Sequence, residues 1–262
     1  MAQQTNTQKN EQQENCNQPT KKVVIIGAGL GGLAVAIALR KLGYEVQVYE
    51  KARDFRPVGG GLGLLPNGLN SLDAIEPGIV ETIKQSACEV GTTFLKNTQG
   101  ETLSQNADEA KSRLLEQLTD WGESLRSLVE AMPAEQIMEN PIYDRLPVPS
   151  WSHGRVTLLG DAAHAMAPAL AQGSNTTFED AYELASCFSQ ASSIQQALAY
   201  YEKRRIFRIQ LIQNCSALGE KRYYATKQEQ EEINRQMQEQ SSMSREEFQN
   251  WLQNYKPSYQ LN

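Results

Sequence analysis

A glycine-rich turn near the start of the chain has the spacing of a phosphate-binding loop. The segment Gly27-Ala28-Gly29-Leu30-Gly31-Gly32 places glycines where a dinucleotide-binding turn needs them. Gly27 allows the tight bend, Gly29 lets a pyrophosphate approach the backbone, and Gly32 lets helix and strand pack closely. Backbone N–H groups at a helix N-terminus attract anions, so the phosphates are expected beside Leu30.

An acidic residue follows this turn at the distance expected for a ribose ligand. Glu50 stands about 20 residues after the glycines, at the end of a second apolar run, and Lys51 follows it directly. A carboxylate in this place accepts hydrogen bonds from ribose hydroxyls and would repel the 2′-phosphate of NADP. Glu50 and Lys51 are therefore added to the candidate cofactor-binding residues.

A second motif, well past the middle of the chain, discriminates between dinucleotides. The segment Gly160-Asp161-Ala162-Ala163-His164 follows another apolar run. A carboxylate at the end of such a strand, where open α/β sheets bind ligands, can accept hydrogen bonds from a polyol chain. FAD has a ribityl chain of this kind, and NAD has none. In the alternative interpretation, this loop only caps a helix and Asp161 is a solvated turn residue.

The stretch after this motif provides a further helix start. Pro168 is followed by Gly173, Ser174 and Asn175, which lead into a predicted helix over residues 176–188. Backbone N–H groups at its start could face the flavin edge on which negative charge collects during reduction. These four residues complete the candidate FAD site.

The elements that position both motifs follow from apolar periodicity. Residues 22–26 and 45–49 predict parallel strands, residues 30–42 a helix, and residues 154–159 another strand. Strand, glycine turn, helix and strand in this order are typical of a nucleotide-binding unit. The predicted fold class is α/β, with a Rossmann-type, three-layer FAD-binding domain, a truncated substrate domain and a helical C-terminal region.

Three blocks give the chain a resemblance to a known family. They are residues 23–51, residues 59–68 with Leu72, and residues 144–184, and Tyr201-Glu202 with Arg204 and Arg205 adds a helix motif. The chain resembles FAD-dependent monooxygenases of the aromatic-hydroxylase, ubiquinone-pathway and zeaxanthin-epoxidase type. The resemblance implies FAD held without a covalent bond, NADH or NADPH as reductant, and transfer of one oxygen atom from O2 to an aromatic, quinone-type or isoprenoid substrate.

The chain departs from that family in its middle. Members usually carry a long segment with a substrate-covering sheet and an Asp-Gly motif, but only residues 91–140 stand there, and the sequence has no Asp-Gly dipeptide. Residues 107–132 have helical apolar spacing and resemble the helices that follow the missing sheet. Ala165 and Ala171 stand where the family commonly has proline and glycine. The middle substrate-binding segment is therefore expected to be missing.

Composition and charge limit the remaining possibilities. The 262 residues include 25 basic and 31 acidic side chains, for a net charge of −6. The sequence therefore lacks the excess of basic residues that is typical of nucleic-acid-binding proteins. Residues 1–20 contain ten Gln or Asn and predict a disordered polar tail, residues 21–225 the FAD-binding domain, and residues 226–262 a helical extension. The sequence shows no export signal, no transmembrane run, no metal-ligand spacing and no paired cysteines, so a cytoplasmic location is expected.

The last third predicts helices. Residues 194–218 carry basic side chains beside an apolar stripe, which favours packing on the domain with the charges in solvent over contact with a membrane surface. His164 is expected to fix its loop by hydrogen bonds, and no catalytic residue is assigned. Three hypotheses remain open: an NAD(P)H-dependent FAD monooxygenase, a catalytically impaired flavin-binding remnant of one, and a simple NAD-dependent dehydrogenase. The oligomeric state stays open.

Overall fold

The first elements form a strand–helix–strand unit where the sequence predicts one. The structure is a computed structural model and describes residues 21–55, 62–87, 106–119, 122–137, 142–223 and 225–258. Strand β1 spans Lys22–Ile26, helix α1 spans Leu30–Lys41 and strand β2 spans Glu45–Tyr49. The two strands pair in parallel along their full length. The predicted polar tail and Gly59–Gly61 lie outside the described residues.

Helices make up most of the rest of the described chain. They are α2 (Pro66–Ile75), α3 (Ile79–Lys84), α4 (Ala107–Gln117), α5 (Glu123–Ala131), α6 (Asp161–His164), α7 (Gly173–Gln190), α8 (Ile194–Tyr223), α9 (Lys227–Ser241) and α10 (Arg245–Gln253). Two 3₁₀ turns span Ala134–Gln136 and Pro168–Leu170. Strands β3 (Ser152–His153) and β4 (Val156–Thr157) form a small antiparallel pair.

The strand predicted over residues 154–159 forms only in part. Only Val156–Thr157 form a strand within this segment. They pair with β3 in a tight hairpin, and this pair is separate from the described sheet of β1 and β2. Gly154 turns this hairpin with a φ of +60°, a conformation that favours glycine, and Val156 is 68% exposed. The apolar run predicts a strand, but periodicity does not reveal which partner a short run pairs with.

Helix α7 lies at the centre of the core and is packed by α1, α2 and α8. Fully buried side chains from these helices meet there, and Val23, Ile25 and Val46 pack against them from one face of the sheet. The opposite face carries Val24 and Ile26, which are 58% and 82% exposed. The described residues therefore place helices on the face of the sheet that carries Val23, Ile25 and Val46.

The middle and C-terminal regions are helical, as predicted. The segment predicted as helical over residues 107–132 forms two helices: α4 ends at Gln117 and α5 begins at Glu123. Ser244 forms a capping box with Glu247 at the start of α10, a pattern that is visible in the sequence as Ser-x-x-Glu. Within the described part of the chain, no helix combines the length and apolarity needed to cross a bilayer.

Buried ion pairs connect α7 to α8. Arg205 donates to Asp180 Oδ1 at 2.6 Å and to Glu179 Oε2 at 2.7 Å. Arg208 donates from Nε and Nη2 to the two oxygens of Glu179, at 2.8 Å each. His164 Nε2 lies 2.5 Å from Asp180 Oδ2. These five residues are termed the ion cluster below.

The ion cluster corrects two expectations. The helix predicted over residues 176–188 would place Glu179 and Asp180 in its first turns, but α7 starts at Gly173 and both residues are fully buried. Arg205 and Arg208 were expected to meet solvent on a charged helix face, yet they are 1% and 9% exposed. His164 fixes its loop through Asp180, in agreement with the role expected for it.

Charge determines the protonation of both carboxylates. Burial raises the pKa of Glu179 and of Asp180, because it penalises the charged form. Arg205 and Arg208 around Glu179, and His164 and Arg205 around Asp180, outweigh burial, so both pKa values lie below their usual range. Groups of this kind stabilise the fold at neutral pH and lose that contribution as the pH falls through their lowered pKa.

The free energy of unfolding is expected to fall steeply below about pH 4, the ordinary range of carboxyl groups. Protonation of Glu179 and Asp180 would leave buried guanidinium groups without their counter-charge, and breaking a buried pair costs about 3–5 kcal/mol. Denaturant unfolding at a series of pH values measures this decline. Glu179→Gln should lower stability at neutral pH and flatten the acid decline.

The matched control is Glu232→Gln, because Glu232 pairs with Arg235 on the exposed surface of α9. This variant should follow the wild-type curve. Curves for Glu179→Gln that run parallel to the wild type across the acid range would contradict the role given to the ion cluster.

Candidate functional site

A cavity of about 670 Å³ lies where the two sequence motifs meet. The glycine-rich turn forms one side, and the segment from Leu159 to Thr177 forms the other. Of the candidate residues, those that line this cavity are Gly27, Gly29, Leu30, Gly32, Asp161, Pro168, Gly173 and Ser174. Motifs more than 120 residues apart in sequence thus share one cavity, which we term the cofactor cavity.

The glycines of the turn differ in what a side chain would meet. A Cβ on Gly32 would lie 2.0 Å from the backbone oxygen of Gly27, so α1 could not pack against the turn with any other residue there. A Cβ on Gly29 would meet no protein atom within 4 Å, and its φ of −71° suits any residue. Protein packing therefore requires glycine at position 32 but not at position 29, where the open space faces the cavity.

Gly31 is a packing residue that the sequence analysis did not single out. A Cβ there would lie 2.6 Å from side-chain atoms of both Leu159 and Thr177. The start of α1 thus approaches the Gly-Asp segment and α7 closely. The adjacent glycines indicate that another part of the chain lies close to α1, but the sequence does not show that the partners are Leu159 and Thr177.

Glu50 ties the end of β2 to the glycine-rich turn. Its Oε2 accepts a hydrogen bond from the N–H of Ala28 and its Oε1 one from the N–H of Ala52, both at 2.8 Å. These backbone donors, Ala52 first and then Ala28, lower the pKa of the Glu50 carboxyl. The group is exposed, and each oxygen keeps acceptor capacity for a ribose hydroxyl. Lys51 beside it is exposed and does not line the cofactor cavity.

Asp161 opens the short helix α6 at the edge of the cofactor cavity. Gly160 before it has a φ of +59°, and its N–H donates to Asp180 at 3.2 Å. The ion cluster therefore holds the backbone from which Asp161 projects. The Asp161 residue is exposed and lines the cavity, so its carboxylate is available to a ligand.

The start of α7 forms another part of the cavity wall. Gly173 and Ser174 occupy its first turn, where backbone N–H groups have no intrahelical acceptor. Gln172 before them accepts a hydrogen bond from Asn67, which also donates to Glu179. The ion cluster thus extends to the residue at which α7 begins.

Asn175 has a different place from the one the motif suggests. Its side chain is buried, accepts a hydrogen bond from the N–H of Leu65 and donates to the carbonyls of Gly63 and Ala171. It does not line the cofactor cavity. Its amide connects the loop before α2 to the start of α7.

The arrangement fits FAD on four grounds. The open space at Gly29 suits a pyrophosphate, since a Cβ would fill it and nothing in the protein does. The carboxylate of Asp161 can accept hydrogen bonds from ribityl hydroxyls, and the first turn of α7 offers N–H donors to an electron-rich ring edge. The cavity volume of about 670 Å³ is in the range of small-molecule and cofactor sites.

Comparison with protein families assigns both motifs. Residues 135–215 match the FAD binding domain family, and residues 25–62 match the NAD(P)-binding Rossmann-like domain family. These matches contain the Gly-Asp motif and the glycine-rich turn, respectively. They confirm the Rossmann-type prediction.

Curated relatives share part of the chain. Aurachin C monooxygenase/isomerase from Stigmatella aurantiaca is 40% identical over 100 residues, which is 38% of this chain and 26% of that protein. Chloroplastic zeaxanthin epoxidase from Oryza sativa is 38% identical over 136 residues, 48% of this chain and 20% of that protein. The chain thus spans about a quarter or less of the length of these relatives.

A solved structure shows the same fold. Klebsiella pneumoniae HpxO, complexed with FAD and uric acid, superposes with a TM-score of 0.69 at 16% identity, over 88% of this chain and 95% of that one. In the matched segments the chain is similar to monooxygenases, and the match to the FAD binding domain family indicates FAD as the cofactor.

Proposed function

We propose that this protein is an FAD-dependent oxidoreductase that consumes NADH or NADPH and inserts one oxygen atom of O2 into a small aromatic, quinone-type or isoprenoid substrate. The observation that carries the proposal is the cofactor cavity, in which the open space at Gly29 and the carboxylate of Asp161 face a common volume. A simple NAD-dependent dehydrogenase would not need the second motif. When bound, FAD supplies a redox group that accepts hydride equivalents and reacts with O2.

The chain's own residues would bind and orient the cofactor. Gly27, Gly29 and Gly32 would admit the pyrophosphate to the N-terminus of α1 beside Leu30, and Glu50 would accept hydrogen bonds from the ribose. Asp161 would hold the ribityl chain, and the N–H groups at Gly173, Ser174 and Asn175 would stabilise negative charge on the ring. Pro168 would shape the wall between them, and Lys51 would lie outside it.

Two further expectations form part of this proposal. The described Cys187 and Cys215 are free and buried, and burial raises the pKa of each thiol to about 11, so neither is reactive at neutral pH. Unpaired thiols of this kind support a reducing compartment such as the cytoplasm. The apolar residues Ile209 and Ile212 of α8 are buried in the protein, which favours packing of that helix over peripheral membrane contact.

A specific observation favours a second candidate, a catalytically impaired flavin-binding remnant. Productive oxygen transfer requires a site from which water is excluded. Asp161 is exposed, and one face of the sheet beside the glycine-rich turn, with Val24 and Ile26, is open to solvent. A chain that keeps the cofactor cavity without a cover could still oxidise the reductant but would lose the reactive oxygen as peroxide.

Gly29→Ala is expected to abolish or strongly weaken FAD binding without destabilising the protein. The added methyl group would fill the space assigned to the pyrophosphate, yet it meets no protein atom within 4 Å. Loss of close phosphate approach should reduce affinity at least tenfold, or about 1.4 kcal/mol. Flavin titration by fluorescence quenching measures affinity, and thermal unfolding of the flavin-free protein measures stability, which should change by no more than about 1 kcal/mol.

Gly32→Ala is the matched variant. Its methyl group would lie 2.0 Å from the oxygen of Gly27, so it should destabilise the flavin-free protein by about 3 kcal/mol, at the upper end of typical overpacking costs. Full FAD affinity in Gly29→Ala would show that the pyrophosphate lies elsewhere. Equal loss of stability in both variants would show that the turn responds to any added methyl group.

Coupling of reductant use to product distinguishes the two candidate functions. The monooxygenase is expected to couple NADH or NADPH oxidation tightly to product with at least one substrate. The remnant is expected to yield mainly hydrogen peroxide with all of them, because the described residues leave the cavity edge at Asp161 open. The measurement is the ratio of peroxide formed to NAD(P)H consumed across phenols, quinone precursors and carotenoids. Tight coupling with any of these substrates would overturn the remnant and support the monooxygenase.

A further inference from the structure

A second cavity, of about 360 Å³, lies among α8, α9, α10 and the 3₁₀ turn Pro168–Leu170. It shares no lining residue with the cofactor cavity. Its size is at the lower end of the range of small-molecule sites. We term it the C-terminal cavity.

The charge of the C-terminal cavity is opposite to that of the chain. The protein has a net charge of −6, yet the cavity lining contains Arg222 and Arg245 and no Asp or Glu. The acidic residues at the start of α10 do not line it: Glu247 is turned back onto the N–H of Ser244 in the capping box. Such a lining favours a negatively charged occupant.

The two arginines have no partner in the described part of the chain. Neither forms an ion pair with a described carboxylate, in contrast to Arg205 and Arg208 earlier on α8, which are fully paired. The Nε of Arg222 is buried and has no hydrogen-bond acceptor. A buried donor without an acceptor is costly, so an anion held by this guanidinium group would relieve an unfavourable feature of the ligand-free protein.

Besides the two arginines and five neutral polar residues, the lining has an apolar and adaptable part. Leu170, Met237, Met243 and Phe248 contribute to it, and they belong to the small hydrophobic cluster that joins α8 to α10. Methionine side chains adjust to ligands of different shape because they are unbranched and polarisable. The cavity thus combines an apolar wall with cationic groups.

We propose that the C-terminal cavity binds a small amphipathic anion, a monocarboxylate with an apolar body, through Arg222 and Arg245. Binding at this site does not require FAD, because the two cavities have separate linings. The proposal is therefore independent of the proposed function, and failure of one leaves the other standing.

Titration calorimetry of the full chain with octanoate tests the proposal, with octanol and octylammonium as probes of equal chain length. Octanoate should bind with one site per chain, octanol at least tenfold more weakly, and octylammonium not measurably. Equal binding of the three probes would overturn the proposal, since only the apolar wall would then contribute. Absence of octanoate binding up to millimolar concentration would also overturn it.

Variants locate the site. Arg222→Gln should weaken octanoate binding at least tenfold, and Asn234→Trp, which adds bulk from an exposed lining residue, should abolish it. Arg235→Gln is the matched control, because Arg235 lies on the same helix as Asn234 but pairs with Glu232 and does not line the cavity. Thermal unfolding confirms that each variant is folded. Unchanged octanoate affinity in Asn234→Trp would place the anion elsewhere and overturn the proposal.

Discussion

The contact between Glu179, Asp180 and the two guanidinium groups of α8 determines where the other elements lie. Asp180 accepts a hydrogen bond from the backbone of Gly160, and Glu179 is connected to Gln172 through Asn67. The Gly-Asp segment and the start of α7 are therefore held by the same buried charges. Arg208 also donates to the carbonyls of Trp251 and Leu252, which connects α10 to the cluster. Buried ion pairs contribute little net stability compared with apolar packing, but their geometry is demanding. Their effect here is to fix the positions of Gly160, Gln172 and α10 relative to one another.

The parts of the fold that could be predicted from the sequence are those in which partners lie close in the chain. The β1–α1–β2 unit matches its predicted bounds to within one residue, because strand, turn and helix each leave a local pattern. The capping box at Ser244 is likewise a four-residue signal. The glycine at position 32 could be assigned a packing role because a short turn between strand and helix leaves no room for a side chain.

The rest depended on contacts that no local pattern contains. Arg205 and Arg208 lie on a helix with many polar residues, and the sequence does not show that their acidic partners are 25 to 29 residues earlier and buried. Asn175 follows the glycine of a typical ligand-binding stretch, yet its amide is used by Gly63 and Leu65, more than 100 residues away. Val156 belongs to an apolar run whose strand partner proved to be Ser152–His153, because Gly154 allows a hairpin.

Cofactor binding and protection of the reaction are separable properties of this architecture. The cofactor cavity is made by the glycine-rich turn, the Gly-Asp segment and the start of α7, and the ion cluster fixes the latter two from within the core. None of these contacts involves α4 or α5, the described helices of the shortened middle region. Among the described residues, the contacts that order the cofactor site are therefore separate from these two helices. Under the proposed function, the yield of oxygenated product would depend on what excludes water at the edge near Asp161.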